Sequence, residues 1–191
     1  MQGIISSIAI ISIVGCAQAD GAPPTSRAAR YGLGHAPSTA EIAALNIDVN
    51  PAGVGLPAGE GTSASGATTY ALKCAACHGP SGEGVGPNPK LVGIDPPAGF
   101  AFASDPKVPK TIGNYWPYAT TLYDYLHRAM PLTAPGSLTP DETYGLVAFL
   151  LNRNGIVPAT MVMDAKALPA IVMPARRYFV RDNRTGGKIF R

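Results

Sequence analysis

The stretch Cys74-Ala75-Ala76-Cys77-His78 is the most informative part of this sequence. A C-x-x-C-H run is the attachment signature of a c-type haem. Two cysteines three residues apart on a helix lie on one face, so both thiols can reach the two vinyl groups of one porphyrin. His78 follows directly and can give an imidazole nitrogen to the iron. The motif therefore predicts one covalently bound haem c, anchored by Cys74 and Cys77, with His78 as an axial ligand.

Zinc and thioredoxin-type redox sites are the two alternatives for a C-x-x-C pair. A zinc site usually needs a second Cys or His pair, whereas the remaining candidates are Cys16, His35 and His127, which lack zinc-ligand spacing. A redox motif is expected between a strand and a helix, and nothing in the neighbourhood predicts that context. Both alternatives are therefore weaker than haem.

Met130 is the predicted sixth ligand of the iron. A short helix predicted at residues 121–128 delivers Ala129-Met130-Pro131, and the proline stiffens the backbone directly after the thioether. Methionine belongs to the known axial ligands of haem iron. The remaining methionines of the chain after the haem motif lie in the C-terminal tail, beyond the predicted core: Met161, Met163 and Met173. His127 is the alternative sixth ligand.

Three further residues are predicted to support or line the haem. Tyr70 lies four residues before Cys74, on the same helix face, and is expected to pack between a neighbouring helix and the haem edge. The ring N–H of His78 needs an acceptor, and we nominate the backbone carbonyl of Pro87 in the Gly- and Pro-rich loop that follows. Trp116, the single tryptophan, lies in an aromatic cluster that is expected to wall the porphyrin. Either its indole N–H or a tyrosine hydroxyl of the cluster is expected to donate to a propionate, with plain core positions as the alternative.

Two helices are predicted to form the core. The first spans residues 63–76 and carries Gly66. The second starts at the capping signal Thr139-Pro140-Asp141-Glu142, ends near residue 153 and carries Gly145. Glycine lets another backbone approach closely, so we expect the two helices to cross near these glycines.

The rest of the chain is predicted to form arms around this small core, because 22 Gly and 19 Pro in 191 residues exceed what a compact helical domain needs. We divide the chain into a signal at 1–19, an extended N-terminal arm at 20–61, a monohaem domain at 62–155 and a basic tail at 156–191. The arm contains a capped turn at Ser38 and is expected to be disordered, to follow a partner or to lie across the haem domain.

The basic tail carries seven Lys and Arg against two Asp. It lacks a dense basic run, so we expect a partner-binding or solvated segment and no nucleic-acid binding.

The N-terminus predicts export. Residues 4–14 form an apolar run that is too short to span a bilayer and has the length of a signal-peptide core. Two processing signals overlap: an A-x-A cleavage site at Ala17-Gln18-Ala19, and a lipobox-like run that would leave Cys16 lipidated. Either one predicts an exported protein, with membrane contact only through a lipid anchor at Cys16 in the second case. The resemblance of the haem motif to c-type cytochromes implies the periplasm, where bacteria attach the haem.

The core from about Gly61 to Gly155 resembles class I cytochrome c. The frame Gly66-x-x-x-Tyr70-x-x-x-Cys74, the C-x-x-C-H motif, the Gly86-Pro87-Asn88 loop, the late Met130 and the C-terminal helix come in that family's order. The resemblance implies an all-α fold, a small helical haem domain with one covalent haem c, here with extended N- and C-terminal arms. By position it implies His78 and Met130 as axial ligands.

The chain is further similar to the cytochrome subunit of bacterial sulfite (sulfane sulfur) dehydrogenases. This resemblance implies that a molybdenum-cofactor subunit oxidises the sulfur compound and that the cytochrome passes the electrons to a downstream cytochrome or oxidase. The basic residues after Phe179 have no counterpart in that family. The segments that carry the similarity are Tyr31-Gly32-Leu33-Gly34, Ile47-Asp48-Val49, Gly55-Leu56-Pro57-Ala58-Gly59, residues 113–121 and Arg128-Ala129-Met130-Pro131.

One-electron transfer is the function expected from these features. Iron with two protein ligands has no open position for substrate or oxygen. The sequence shows no triad, carboxylate pair or phosphate loop, so we expect no enzyme by itself but the electron-transfer subunit of a sulfite dehydrogenase. Two alternatives remain: a free or lipid-anchored carrier that delivers electrons to a terminal oxidase, and an open-site haem enzyme or gas sensor.

Overall fold

The computed structural model of the chain describes residues 33–93, 105–180 and 183. The predicted signal segment, Cys16 and the last eight residues lie outside this part. The chain divides into the units Met1–Pro37 and Ser38–Arg191, and in the first the described residues 33–37 form neither helix nor strand. Among the described residues, no helix has the length and apolar character needed to cross a membrane. The second unit contains α1 (Thr39–Leu45), β1 (Glu60–Thr62), α2 (Ser63–Lys73), α3 (Ala75–His78), α4 (Ile112–Tyr115), α5 (Ala119–Ala129), α6 (Pro140–Arg153), β2 (Val162–Asp164) and two 3₁₀ helices (Leu168–Ala170 and Pro174–Tyr178).

The two long core helices, α2 and α6, cross where both present a glycine, as predicted. α6 begins after Thr139, whose hydroxyl accepts the Glu142 N–H at 3.2 Å, while the Glu142 carboxylate accepts the Thr139 N–H at 3.0 Å. This reciprocal capping box fixes where the helix starts. A Cβ on Gly66 would overlap the carbonyl oxygen of Gly145, so the two backbones are in direct contact.

Glu142 also ties α6 to α2, because its Oε1 lies 2.6 Å from Nζ of Lys73. The hydrogen bonds from Lys73 and from the Thr139 amide hold the pKa of Glu142 below its ordinary value of 4.5. Since the folded-state pKa is the lower one, the stabilisation is present above the unfolded pKa and is lost as pH falls through the folded pKa. We expect Glu142→Gln to lower the free energy of unfolding by about 0.5–1 kcal/mol at pH 7, and by less near pH 3.

Urea unfolding of the holoprotein at the two pH values checks this expectation. The Gln side chain can still accept the Thr139 N–H, so the variant isolates the charge pair. A loss of the same size at both pH values would contradict it.

A two-stranded antiparallel sheet extends the core past the predicted boundary at residue 155. In the pairing of β1 with β2, Gly61 lies opposite Met163. Met163 is completely buried, and the segment after it also buries Leu168 and Met173 in the core. The prediction of a solvated or partner-binding tail from residue 156 therefore differs from the structure. The physical reason is that burying these apolar side chains in the core of their own chain removes them from water, which is favourable.

Part of the predicted N-terminal arm is packed on the helical domain. Val49 is buried, and its N–H donates to Oδ1 of Asp124 at 2.8 Å. The Thr120 hydroxyl donates to the carbonyl of Pro51 at 3.0 Å. The arm around these residues therefore lies along α5, which is one of the arrangements predicted for it.

α1 differs from this packed part of the arm. Its N-terminus has the predicted capping box between Ser38 and Glu41. None of its residues is buried, and the side chains of Ile42 and Leu45 are 52% and 84% exposed. α1 is thus an ordered turn of helix whose apolar residues do not reach the core of this chain.

Candidate functional site: the C-x-x-C-H motif and its surroundings

The C-x-x-C-H motif forms its own short helix after α2. The predicted first helix continues to residue 76, whereas in the structure Cys74 interrupts it with φ −125° and ψ −38° and α3 follows. The thiol of Cys74 is half-buried, that of Cys77 is exposed, and neither is in a disulfide. Burial raises the pKa of the Cys74 thiol to about 11, with Lys73 opposing the shift and Cys77 adding to it. A free thiol at this position is therefore protonated at neutral pH.

His78 is oriented through Nδ1 of its imidazole, which lies 3.0 Å from the carbonyl oxygen of Pro89. A carbonyl oxygen can only accept, so Nδ1 carries the proton and Nε2 of the neutral ring keeps its lone pair. This is the orientation and tautomer that a metal-binding imidazole needs. The predicted acceptor, Pro87, is corrected to Pro89. Residues 85–88 form a turn closed by the Asn88 N–H on the Val85 carbonyl at 3.0 Å, and the carbonyl that meets His78 comes directly after this turn.

The loop that supplies Pro89 is held at both ends. The Gly84 N–H donates to the His78 carbonyl at 2.8 Å. The Gly93 N–H donates to Oδ1 of Asn154 at 2.9 Å, and Asn154 is buried at the C-terminal end of α6. Nothing in the sequence predicts this role of Asn154, because its only signal is its position at a helix end. The long α6 thus fixes the loop that orients His78.

Tyr70 supports the motif from α2. It is 2% exposed, and its hydroxyl donates to the carbonyl of Gly79 at 2.9 Å. Its ring centroid lies 5.0 Å from that of Phe149 on α6. Burial raises the pKa of Tyr70 to about 12, so the phenol stays neutral and able to donate. Tyr70 therefore links the crossing of α2 and α6 to Gly79, the residue after His78. Its contact with the haem edge stays a prediction.

Met130 lies directly after α5 as its C-terminal cap. Its N–H donates to the Leu126 carbonyl at 3.2 Å, and its half-buried side chain packs against the core. The structure thus contains the helix that was expected to deliver this residue, and its role as sixth ligand stays a prediction. The alternative ligand, His127, lies on α5 with its ring centroid 5.7 Å from that of Tyr123. In the part of the chain that the structure describes, its buried Nδ1 has no hydrogen-bond partner.

Trp116 lies between α4 and α5. Its half-buried ring packs against the core, with its centroid 5.6 Å from that of Tyr125. Its indole N–H donates to Oγ1 of Thr121 at 3.0 Å. The indole N–H that was expected to donate to a haem propionate therefore donates to Thr121 in this structure. Its place beside the porphyrin stays a prediction.

The side chains present fit a haem. The pair of thiols could serve as two covalent anchors, and the free Nε2 of the imidazole and a methionine thioether are donor types that haem iron takes as neutral axial ligands. The apolar residues that pack against the core yet remain partly exposed include Cys74, Ala75, Leu91, Trp116 and Met130. Across residues 33–93 and 105–180, no three His, Cys, Asp or Glu side chains gather into a metal-ion site.

Comparison with known proteins gives two findings. The cytochrome c family model matches residues 63–154. A chain in the crystal structure of the sulfane dehydrogenase SoxCD from Paracoccus pantotrophus is 40% identical, with a TM-score of 0.70, and the match covers 81% of this chain and 73% of that one. The comparison with curated proteins found no match. The predicted fold class and the resemblance on which it rests are both confirmed.

Proposed function

Since the chain belongs to the class I c-type cytochromes, which bind haem c covalently and transfer electrons, we propose that it is the electron-transfer subunit of a periplasmic dehydrogenase of reduced sulfur compounds. The observation that carries the electron-transfer role is the Pro89–His78 hydrogen bond, which leaves Nε2 of His78 ready for iron directly after two cysteines. When bound, the haem supplies an iron that takes up and releases one electron.

The residues around the haem have separate tasks in this proposal. Cys74 and Cys77 would anchor the group, and His78 and Met130 would bind its iron. Two neutral ligands add no charge to the site, and the half-buried surroundings disfavour the additional positive charge of the oxidised iron. Both effects favour the reduced state of the haem iron. Tyr70 and the loop carrying Pro89 hold the imidazole in place during the exchange of electrons.

The proposed electron donor is a molybdenum-cofactor subunit that oxidises sulfite or a sulfane sulfur, and the acceptor is a further cytochrome or an oxidase. The similarity to a chain of a sulfane dehydrogenase supports the donor, at 40% identity over 81% of this chain. Export to the periplasm is supported by the apolar run at residues 4–14 and its processing signals. Sulfur chemistry itself is assigned to the partner subunit.

α1 is the proposed docking element for that partner. A helix of seven residues is too short to be stable without tertiary contacts. Its apolar residues Ile42 and Leu45 nevertheless stay exposed, and Ile47 just after it is 40% exposed. A protein partner that covers these side chains would supply the missing burial, which makes the segment suited to holding a permanent subunit.

The double variant Ile42→Ser/Leu45→Ser tests this docking element. Each apolar side chain contributes about 1.5–3 kcal/mol when fully buried, so we expect at least a tenfold loss of affinity for the dehydrogenase subunit. The measurement is co-purification of the cytochrome with the co-expressed, tagged dehydrogenase subunit. Val172→Ser is the matched control, because Val172 is 83% exposed but lies in the C-terminal segment. The haem spectrum should be unchanged in both variants.

Two results would contradict the proposal at different levels. Equal co-purification of wild type and double variant would mean that α1 is not the docking element. A wild-type cytochrome that neither co-purifies nor accepts electrons from the dehydrogenase supplied with its sulfur substrate would favour a free carrier. Truncation up to residue 60 is unsuitable as a test, because it also removes the buried Val49.

A further inference from the structure

Asp124 is a largely buried residue in the middle of α5, and its side chain is 12% exposed. Its Oδ1 accepts the N–H of Val49 at 2.8 Å and Nε–H of Arg128 at 2.8 Å, and its Oδ2 accepts from Nη2 of Arg128. Burial alone would raise the pKa of Asp124, but the hydrogen bonds from Arg128 and Val49 outweigh it and hold the pKa below the ordinary value. The carboxylate is therefore charged and fully engaged on both sides.

These bonds connect the N-terminal arm to the end of α5. Arg128 lies one turn after Asp124 and two residues before Met130. A forked guanidinium–carboxylate pair is directional, so it restrains the last turn of the helix more than a single hydrogen bond would. On the other side, the arm is tightly folded around Val49. A Cβ on Gly55 would overlap the Asp48 carbonyl, so the chain folds back tightly next to the residue that donates to Asp124.

We propose that Asp124 is a positioning residue for Met130, which braces the last turn of α5 against the Val49 segment and so keeps the thioether in place against competing ligands. The inference rests on the proposed function, in which Met130 is the sixth ligand. A weak ligand on a loop binds well only when the fold already restrains its position, because ordering the loop on binding would otherwise cost free energy. Removing the brace should make the thioether easier to displace without removing it.

Imidazole binding to the ferric holoprotein, followed by optical titration, measures this displacement directly. We expect Asp124→Asn to bind imidazole about tenfold more tightly than wild type, since a charge-assisted hydrogen bond is lost. Arg128→Lys keeps the positive charge but loses the bidentate hydrogen bonding to Asp124. Its imidazole affinity should therefore lie between those of wild type and Asp124→Asn.

Glu142→Gln is the matched control. It also replaces a carboxylate paired with a basic side chain by an amide, but its partner is Lys73 and the pair joins α2 to α6. Its imidazole affinity should stay within about twofold of wild type, the usual independence of distant sites.

Three outcomes would overturn the positioning role. The first is an unchanged imidazole affinity in Asp124→Asn. The second is an equal increase of the imidazole affinity in Asp124→Asn and Glu142→Gln, which indicates a general loosening of the fold. The third applies where Asp124→Asn yields no holoprotein, and is an unchanged imidazole affinity in Arg128→Lys. Failure of the proposed ligand set looks different: Met130→Ala and wild type would then bind imidazole equally well. A Met130→Ala effect without an Asp124→Asn effect removes the positioning role alone.

Discussion

Met130→Ala is expected to abolish the weak far-red absorption band that ferric haem shows when methionine sulfur is bound, and to open the iron to imidazole when oxidised and to carbon monoxide when reduced. The reason is competition: while the thioether is bound, an external ligand reaches the iron only in the small fraction of molecules in which it has dissociated. If that fraction is about 1%, removing the thioether raises the apparent imidazole affinity on the order of 100-fold.

Met161→Ala is the control for this variant. Met161 is also a half-buried methionine that packs on the core, but it lies in the C-terminal segment. Its far-red band and imidazole affinity should match those of wild type. A band that survives in Met130→Ala would mean that another sulfur is the ligand. A wild-type protein without the band, with high-spin ferric iron, would favour the open-site enzyme or sensor.

Gly66→Ala is expected to destabilise the fold strongly. The added Cβ would overlap the Gly145 carbonyl oxygen and lie 2.8 Å from Cβ of Phe149. Because the first of these atoms is backbone, α2 and α6 must move apart, which also disturbs Tyr70 and Asn154 beneath the haem motif. We expect a loss of at least about 3 kcal/mol in the free energy of unfolding, measured by urea denaturation of the holoprotein.

Two further glycines give a graded comparison. Gly136 has φ +74° and open space around it, so Gly136→Ala should cost only the backbone strain, about 1 kcal/mol. Gly145→Ala should fall between the two variants, because the nearest atom to its added Cβ is the movable Ser65 hydroxyl at 2.8 Å. Equal losses for Gly66→Ala and Gly136→Ala would show that the helix crossing is looser than the structure indicates.

The sequence by itself determined the features that depend on neighbours within one helix turn. The haem motif is a spacing of three and four residues, and the capping boxes at Ser38 and Thr139 link residues three apart. The helix crossing at the two glycines could be predicted for a related reason, since a glycine inside a helix allows another backbone to approach closely. These local signals were enough for the all-α fold and for the crossing of α2 with α6.

Only the tertiary structure decided which distant segments meet. The acceptor for His78 is a backbone carbonyl, and every residue has one, so side-chain identity could not separate Pro87 from Pro89. The contact between Asp124 and the amide of Val49 could not be predicted for the same reason, because the two residues lie 75 positions apart in the sequence. The strands that bring Met163 into the core are three residues each, too short to show a strand period. A sequence carries the chemistry of a site in its side chains, but the backbone groups that orient them are chemically alike and acquire their roles only when the chain folds.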